Sequence, residues 1–112
     1  MHRPLLIFLA ALALMPACAS NIKVSTSRTG SGKYEVKPPD CEIRFEDMAY
    51  TEAIEQYKEI GQVWLTGTDA VPELTGRQKE MVAPEACKIG GEIVVLGSSV
   101  SDNVVFLVLV PR

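Results

Sequence analysis

Polar and apolar residues alternate strictly over residues 41–46. This period of two places Cys41, Ile43 and Phe45 on one face of a predicted strand and three charged side chains on the other. We therefore expect a strand with one face in the core and one in water, and with Cys41 pointing inward.

A helical period follows this strand. Apolar side chains recur there with the spacing of one helix face, at Tyr50, Ala53, Ile54 and Tyr57. The spacing predicts a short amphipathic helix, which Asp47 can cap.

Extended structure returns over residues 59–67. Gly61 within this predicted strand indicates a β-bulge or the close approach of another backbone. Trp64 lies on the face opposite Val63 and Leu65, where it either packs in the core or stays half-exposed as a contact residue.

A longer helix is predicted from Thr75 toward Ile89. Thr75 and Gln78 have the spacing of a capping box, in which the threonine accepts from a first-turn amide and the glutamine reaches back. Pro84 removes a helical hydrogen bond and crowds the preceding turn. We expect a kink there, or a stop at Val82 and a restart with proline in the first turn.

Two nearly continuous apolar runs complete the pattern, at residues 92–96 and 104–110, with a polar stretch between them that predicts a hairpin. Runs that are apolar on both faces are typical of strands covered on both sides. The long helix can cover one face, whereas the short helix and Trp64, with or without a partner, must cover the other. The elements predict a small α+β domain with a mixed sheet of about four strands, one long and one short helix, in the order β-α-β-α-β-β.

The first eighteen residues predict where the protein is located in the cell. Residues 5–14 form an apolar run behind Arg3, too short to span a bilayer as a helix, and the arrangement predicts a signal peptide over residues 1–17. The exit Leu-Met-Pro-Ala-Cys resembles a bacterial lipobox, which implies a lipidated Cys18 as the first mature residue. Ala19 in place of aspartate favours the outer membrane, periplasm-facing or at the surface. The alternative is ordinary cleavage after Ala19, which would release a soluble periplasmic or secreted chain.

Amino-acid composition divides the chain after the signal peptide into a linker and a folded domain. Residues 18–39 are rich in serine, threonine and glycine and predict a flexible linker, although residues 22–24 could form an isolated strand. Residues 40–112 predict the folded domain. Lipoprotein processing would leave 10 Lys+Arg against 14 Asp+Glu, a net charge of −4, with about +3 in the linker and −7 beyond it. An acidic domain argues against nucleic-acid binding. The four dispersed cations of the linker either lie at an anionic membrane surface or serve only to keep the linker solvated.

Cys41 and Cys87 would remain in the mature chain, and His2 would not. An even pair of cysteines in a small exported domain predicts a disulfide bond. Two buried thiols and half of a soft-metal site are the alternatives. The second would need further ligands, and without histidine only carboxylates could supply them.

Two segments of the chain resemble a known group of proteins. They are residues 60–63 (Ile-Gly-Gln-Val) and residues 86–95 (Ala-Cys-Lys-Ile-Gly-Gly-Glu-Ile-Val-Val). Over residues 41–96 the chain resembles small lipoproteins of Gram-negative bacteria of the myxobacterial type. It is more distantly similar to the lipoprotein domain that senses envelope stress for the Rcs phosphorelay. The resemblance implies a similar fold and a location in the cell envelope.

These patterns predict a lipid-anchored cell-envelope protein that acts as a non-catalytic protein-interaction or sensing module. The membrane, through the anchor, and an envelope protein are the expected partners, and no cofactor is expected. No nucleophile has an evident base, and no phosphate-binding loop follows a strand, so we do not expect an enzyme. The alternatives are a structural outer-membrane lipoprotein and a metal-binding envelope protein.

Overall fold

A computed structural model of the protein describes residues 21–29, 34–100 and 102–112. In chain order the elements are β1 (Lys23–Arg28), β2 (Arg44–Glu46), α1 (Tyr50–Gln56), β3 (Tyr57–Thr66), α2 (Gly76–Lys88), β4 (Ile93–Val100) and β5 (Asn103–Pro111). The predicted signal peptide and the predicted lipidation site, Cys18, lie outside the described residues.

The five strands form one sheet in the order β1-β3-β5-β4-β2. Neighbouring strands are antiparallel except for β2, which runs parallel to β4. The two long central strands β3 and β5 pair along most of their lengths, and β4 and β5 form the predicted hairpin. The prediction of a small α+β fold with a mixed sheet, one long helix and one short helix is confirmed.

Strand β1 is the main difference from the sequence-based expectation, because it lies in the segment interpreted as linker. Lys23 pairs with Thr66 at one end of β1, and Arg28 pairs with Gly61 at the other. Most β1 side chains are exposed. An edge strand obtains its hydrogen bonds from the backbone of its neighbour, so it can form from residues too polar to build a core.

Helix α2 covers one face of the sheet. Its apolar side packs on side chains from three strands in a cluster that includes Val82, Ala86, Ile89, Val63, Val94, Phe106 and Val108. The helix continues through Pro84, without the predicted stop and restart. The predicted N-cap is confirmed, since the Thr75 hydroxyl oxygen accepts from the Gln78 amide at 3.2 Å.

A capping box requires the side chain of Gln78 to reach back to the backbone amide of Thr75, and it does not do so. It is buried, accepts from the amide of Val71 and donates to the carbonyls of Val71 and Glu73. Gln78 thus fixes the loop before α2, because three buried or partly buried backbone groups find their partners on one amide.

Helix α1 covers only part of the opposite face. Ala53 is fully buried against Ile93, Val95 and Leu109. The N-cap is Ala49, which makes no side-chain cap hydrogen bond, so the expected cap by Asp47 does not form. The helix is shorter than its apolar spacing indicated, because Tyr57 already begins β3.

Gly61 fulfils both expectations for a glycine inside a strand. The register of β3 on β5 shifts between Glu59 and Gly61, which marks a bulge. A Cβ atom at position 61 would collide with the side chain of Ile89 and would lie 2.6 Å from the carbonyl oxygen of Ser27. The glycine therefore lets β1 and the end of α2 approach β3 closely.

Candidate functional site

Cys41 and Cys87 form a disulfide bond, with their Cα atoms 6.0 Å apart. The prediction of this bond is confirmed, and the alternatives of free thiols and a metal half-site fall away. Cys87 is fully buried, and Cys41 is half-buried. The bond joins the segment before β2 to the last turn of α2.

Further contacts hold the same segment on α2. The amide of Lys37 donates to the carbonyl of Cys87 at 2.9 Å, and its ammonium group donates to the carbonyl of Gly91 at 3.1 Å. Gly90 has a φ of 86°, and a Cβ there would lie 2.6 Å from Cβ of Tyr34. The disulfide is therefore part of a packed structural junction.

The part of the second sheet face that α1 leaves uncovered is the first candidate surface. Residues directly opposite each other in antiparallel strands point to the same face. Two rows cross β1, β3, β5 and β4 next to the hairpin turn, and we call these eight positions the open face: Lys23, Thr66, Asn103 and Val100 in the first row, and Ser25, Trp64, Val105 and Ser98 in the second.

Trp64 is the largest side chain of the open face. It is half-buried, and its indole N–H donates to the side-chain oxygen of Gln62 at 3.1 Å. Val100 is 69% exposed. A groove of about 480 Å³ runs beside Trp64 and is lined by Tyr50, Gln62, Trp64, Gly97, Ser98, Val105 and Leu107. The open face therefore combines an aromatic ring, exposed aliphatic surface and neutral polar groups.

Charge distinguishes the open face from the rest of the domain. Its only ionisable side chain is Lys23. In contrast, carboxylates surround β2 at the far edge of the sheet, and we call this group the acidic edge: Asp40, Glu42, Glu46 and Asp47. Arg44 neutralises part of it, since its guanidinium lies 2.6 Å from the Glu46 carboxylate.

The two edges of the sheet thus carry opposite charge. Strand β1 contains Lys23 and Arg28 and no carboxylate, whereas the acidic edge lies four strand spacings away, about 19 Å. Beside the acidic edge is a polar cleft of about 440 Å³, lined by Lys37, Glu42, Ile43, Arg44, Glu92, Ile93 and Pro111. A charged side chain from another molecule can enter this cleft.

One carboxylate connects β1 to the helix layer. Glu85 accepts from the Thr26 hydroxyl at 2.8 Å and lies 2.9 Å from the Lys88 ammonium group. The hydrogen bond and charge of Lys88, together with the Thr26 hydrogen bond, lower the pKa of Glu85 and outweigh desolvation, which raises it. Glu85 therefore fastens β1 to α2 in its ionised form.

Sequence reasoning located the disulfide but interpreted residues 18–39 as linker, with at most an isolated strand over residues 22–24. It therefore missed most of β1, the basic edge that Lys23 and Arg28 form there, and the Thr26–Glu85 contact. Ile22 and Val24 alternate with polar residues, and this is the signal that could have revealed the strand. Within the residues that the structure describes, no group of three or more His, Cys, Asp or Glu could hold a metal ion. In the same part of the chain, no helix is long and apolar enough to cross a membrane.

No protein-family model, curated protein or solved structure matches the chain.

Proposed function

We propose that the protein is a lipid-anchored component of the bacterial cell envelope, held in the outer membrane through Cys18, and that it acts as a non-catalytic protein-interaction or sensing module. The observation that best supports this proposal is the separation of charge across the sheet. The basic edge follows the proposed anchor directly, and the acidic edge lies on the far side.

The position of β1 limits how far the domain can lie from its anchor. Five residue steps separate Cys18 from Lys23, and five extended residues span at most about 18 Å. A chain lipidated at Cys18 would therefore keep the β1 edge near the bilayer, where cations gain from anionic headgroups. The acidic edge would then face away from the anchor.

A small domain with a buried disulfide suits an oxidising compartment. The bond closes a loop with a sequence separation of 46 residues, in a domain with a modest core. Disulfides persist in exported proteins and are rare in the reducing cytosol. The Cys41–Cys87 bond thus supports export, on which the anchor depends.

The acidic edge is the surface that we assign to a protein partner. Three of its four carboxylates are on exposed residues, and the cleft beside it contains Lys37 and Arg44 as well as Glu42 and Glu92. A complementary partner carries Lys or Arg side chains there, because opposite potentials speed encounter and disfavour wrong partners.

Site-directed photo-crosslinking in intact cells tests this assignment. A photoreactive residue at position 42 should form adducts with one or a few specific proteins, and one at exposed position 80, on the outside of α2, should not. Glu42→Lys with Asp47→Lys should weaken the capture by a probe at position 40.

The same reversal at Glu80, Glu80→Lys, should leave the capture by that probe intact. Absence of any specific adduct from the acidic edge, together with envelope fragility when the protein is deleted, would contradict an interaction module and favour a structural lipoprotein.

A further inference from the structure

We propose that the open face lies against the lipid bilayer, with Trp64 in the interfacial layer between headgroups and acyl chains. This inference rests on the proposed anchor at Cys18 and goes beyond it, because an anchor alone leaves the orientation of the domain undetermined.

The point at which the described chain begins places the open face next to the anchor. The amide of Asn21 donates to the Asp69 carboxylate at 3.2 Å, and its side-chain amide donates to the hydroxyl of Thr68 at 3.0 Å. Three residue steps, at most about 11 Å, separate Asn21 from Cys18. The hairpin end of the sheet is therefore within about 11 Å of the proposed acyl chains.

The open face has the chemistry of a surface that meets headgroups. Tryptophan places an apolar ring and a polar N–H at the boundary between lipid and water. Lys23 can lie along apolar surface with its ammonium group at the phosphates, and exposed Val100 adds aliphatic surface. The absence of carboxylates from all eight positions contrasts with the acid-rich remainder of the domain.

Helix α1 covers another part of the same sheet face, and its first residue, Tyr50, reaches the groove beside Trp64. It packs at the other end of the strands, over Ile93 and Leu109. Along β5, Leu109 lies four residues beyond Val105, or about 13 Å. If the domain enters hairpin end first, an interfacial layer about 5–10 Å deep can contain the two rows of the open face while most of α1, with Glu52 and Glu55, stays in water.

Carboxylates at the hairpin end decide which lipids suit this orientation. Asp69 and Asp102 lie near the point at which the chain enters the sheet. At headgroup level they meet the ammonium groups of phosphatidylethanolamine, while Lys23 meets phosphates. A membrane rich in phosphatidylethanolamine with some phosphatidylglycerol is thus the complementary surface.

Trp64 is the only tryptophan of the chain, so its fluorescence reports this face directly. The experiment places the natively processed protein in vesicles of phosphatidylethanolamine and phosphatidylglycerol that contain a brominated lipid. We expect Trp64 to be quenched by bromine near the headgroup end of the acyl chains, and to be shielded from iodide in the water.

Two charge reversals on β1 form a matched pair. Lys23 and Arg28 are both exposed, but they point to opposite faces of the strand because they are five residues apart. Lys23→Glu should lower the ratio of docked to undocked domain by about fivefold or more, seen as lost bromine quenching. Arg28→Glu makes the same change in charge and should retain most of the quenching.

The outcomes separate this inference from the proposed anchor. Protein that floats with the vesicles while Trp64 stays open to iodide and untouched by bromine would overturn the docking and leave the anchor intact. Trp64 shielded from both quenchers would also overturn it, and would show that protein rather than lipid covers the ring. Protein without acyl chains that fails to float would overturn both.

Discussion

At the scale of single residues, the domain depends on a few positions where packing leaves no freedom. Gly61 is the tightest, because two elements meet over its missing side chain. Gln78 is the main buried polar group, and its amide is fully occupied by the loop before α2. Substitutions at these positions should therefore destabilise the fold.

Gly61 and Gly76 give opposite predictions for the same substitution. Gly61→Ala should destabilise the fold by about 1–3 kcal/mol, because backbone of β1 must shift to admit the new methyl group. Gly76 begins α2 and has open space around it, so Gly76→Ala should stabilise by about 0.4–1 kcal/mol. Urea denaturation of both variants measures the difference, and equal effects would refute the close packing at Gly61.

Glu85 gives the domain a component of pH-dependent stability. Its pKa is lowered below 4.5, so the ionised group stabilises the fold above that value and the contribution is lost as pH falls through the lower folded-state pKa. Glu85→Gln should therefore flatten the loss of unfolding free energy below about pH 4.5. Denaturation midpoints measured across the acidic range check this.

Glu80→Gln is the matched control for that prediction. Glu80 is exposed on the same helix, and its side chain makes no hydrogen bond or ion pair among the described residues. Its variant should follow the wild-type pH profile. An unchanged profile for Glu85→Gln as well would show that the contact with Thr26 and Lys88 is too exposed to matter.

At the scale of elements, the disulfide holds the segment before β2 on α2. Replacing both cysteines, Cys41→Ala with Cys87→Ala, should lower the free energy of unfolding by about 4 kcal/mol, because the unfolded chain regains the entropy of a closed loop. Thermal denaturation with and without a reductant measures the same loss in the wild-type protein. A double variant as stable as the wild type would contradict this role.

The elements that local pattern could predict are those that bury their own side chains. The helical spacing that ends in α2 and the two apolar runs of β4 and β5 are patterns of this kind. The alternation over residues 41–46 predicted a longer strand than forms, since β2 is only Arg44–Glu46 and its inward side chains are partly buried. Strand β1 could not be predicted in this way, because its neighbour β3 lies about 40 residues later in sequence and contributes backbone hydrogen bonds. The expected cap of α1 by Asp47 was wrong, because the N-cap is Ala49 and the helix is held by the packing of Ala53 rather than by a capping side chain.

At the scale of the whole molecule, the candidate surfaces needed the fold before they could be seen. The excess of acid in the domain was readable from composition, but its concentration around β2 follows from the strand order. The open face likewise combines residues from four strands, of which only Trp64 stood out beforehand. The disulfide was predictable from the even pair of cysteines in a small domain that was expected to be exported.

The proposed anchor would also place the two edges of the sheet at different distances from the point of membrane attachment. Cys18 precedes the first residue of the basic edge by five residues in sequence, and the partner surface that we assign lies at the other edge of the same sheet. The tether, the bilayer contact and the orientation of the acidic edge away from the membrane all depend on lipid attachment at Cys18. None of these inferences holds if Cys18 carries no lipid. The covalent state of the mature chain is therefore the most direct test.

Intact mass of the protein purified from its own cells, before and after reduction and alkylation, measures that state. We expect a chain that begins at Cys18 and carries acyl groups, with Cys41 and Cys87 alkylated only after reduction. A full-length chain with its leader uncut, or with both thiols alkylated before reduction, would contradict export and anchoring together.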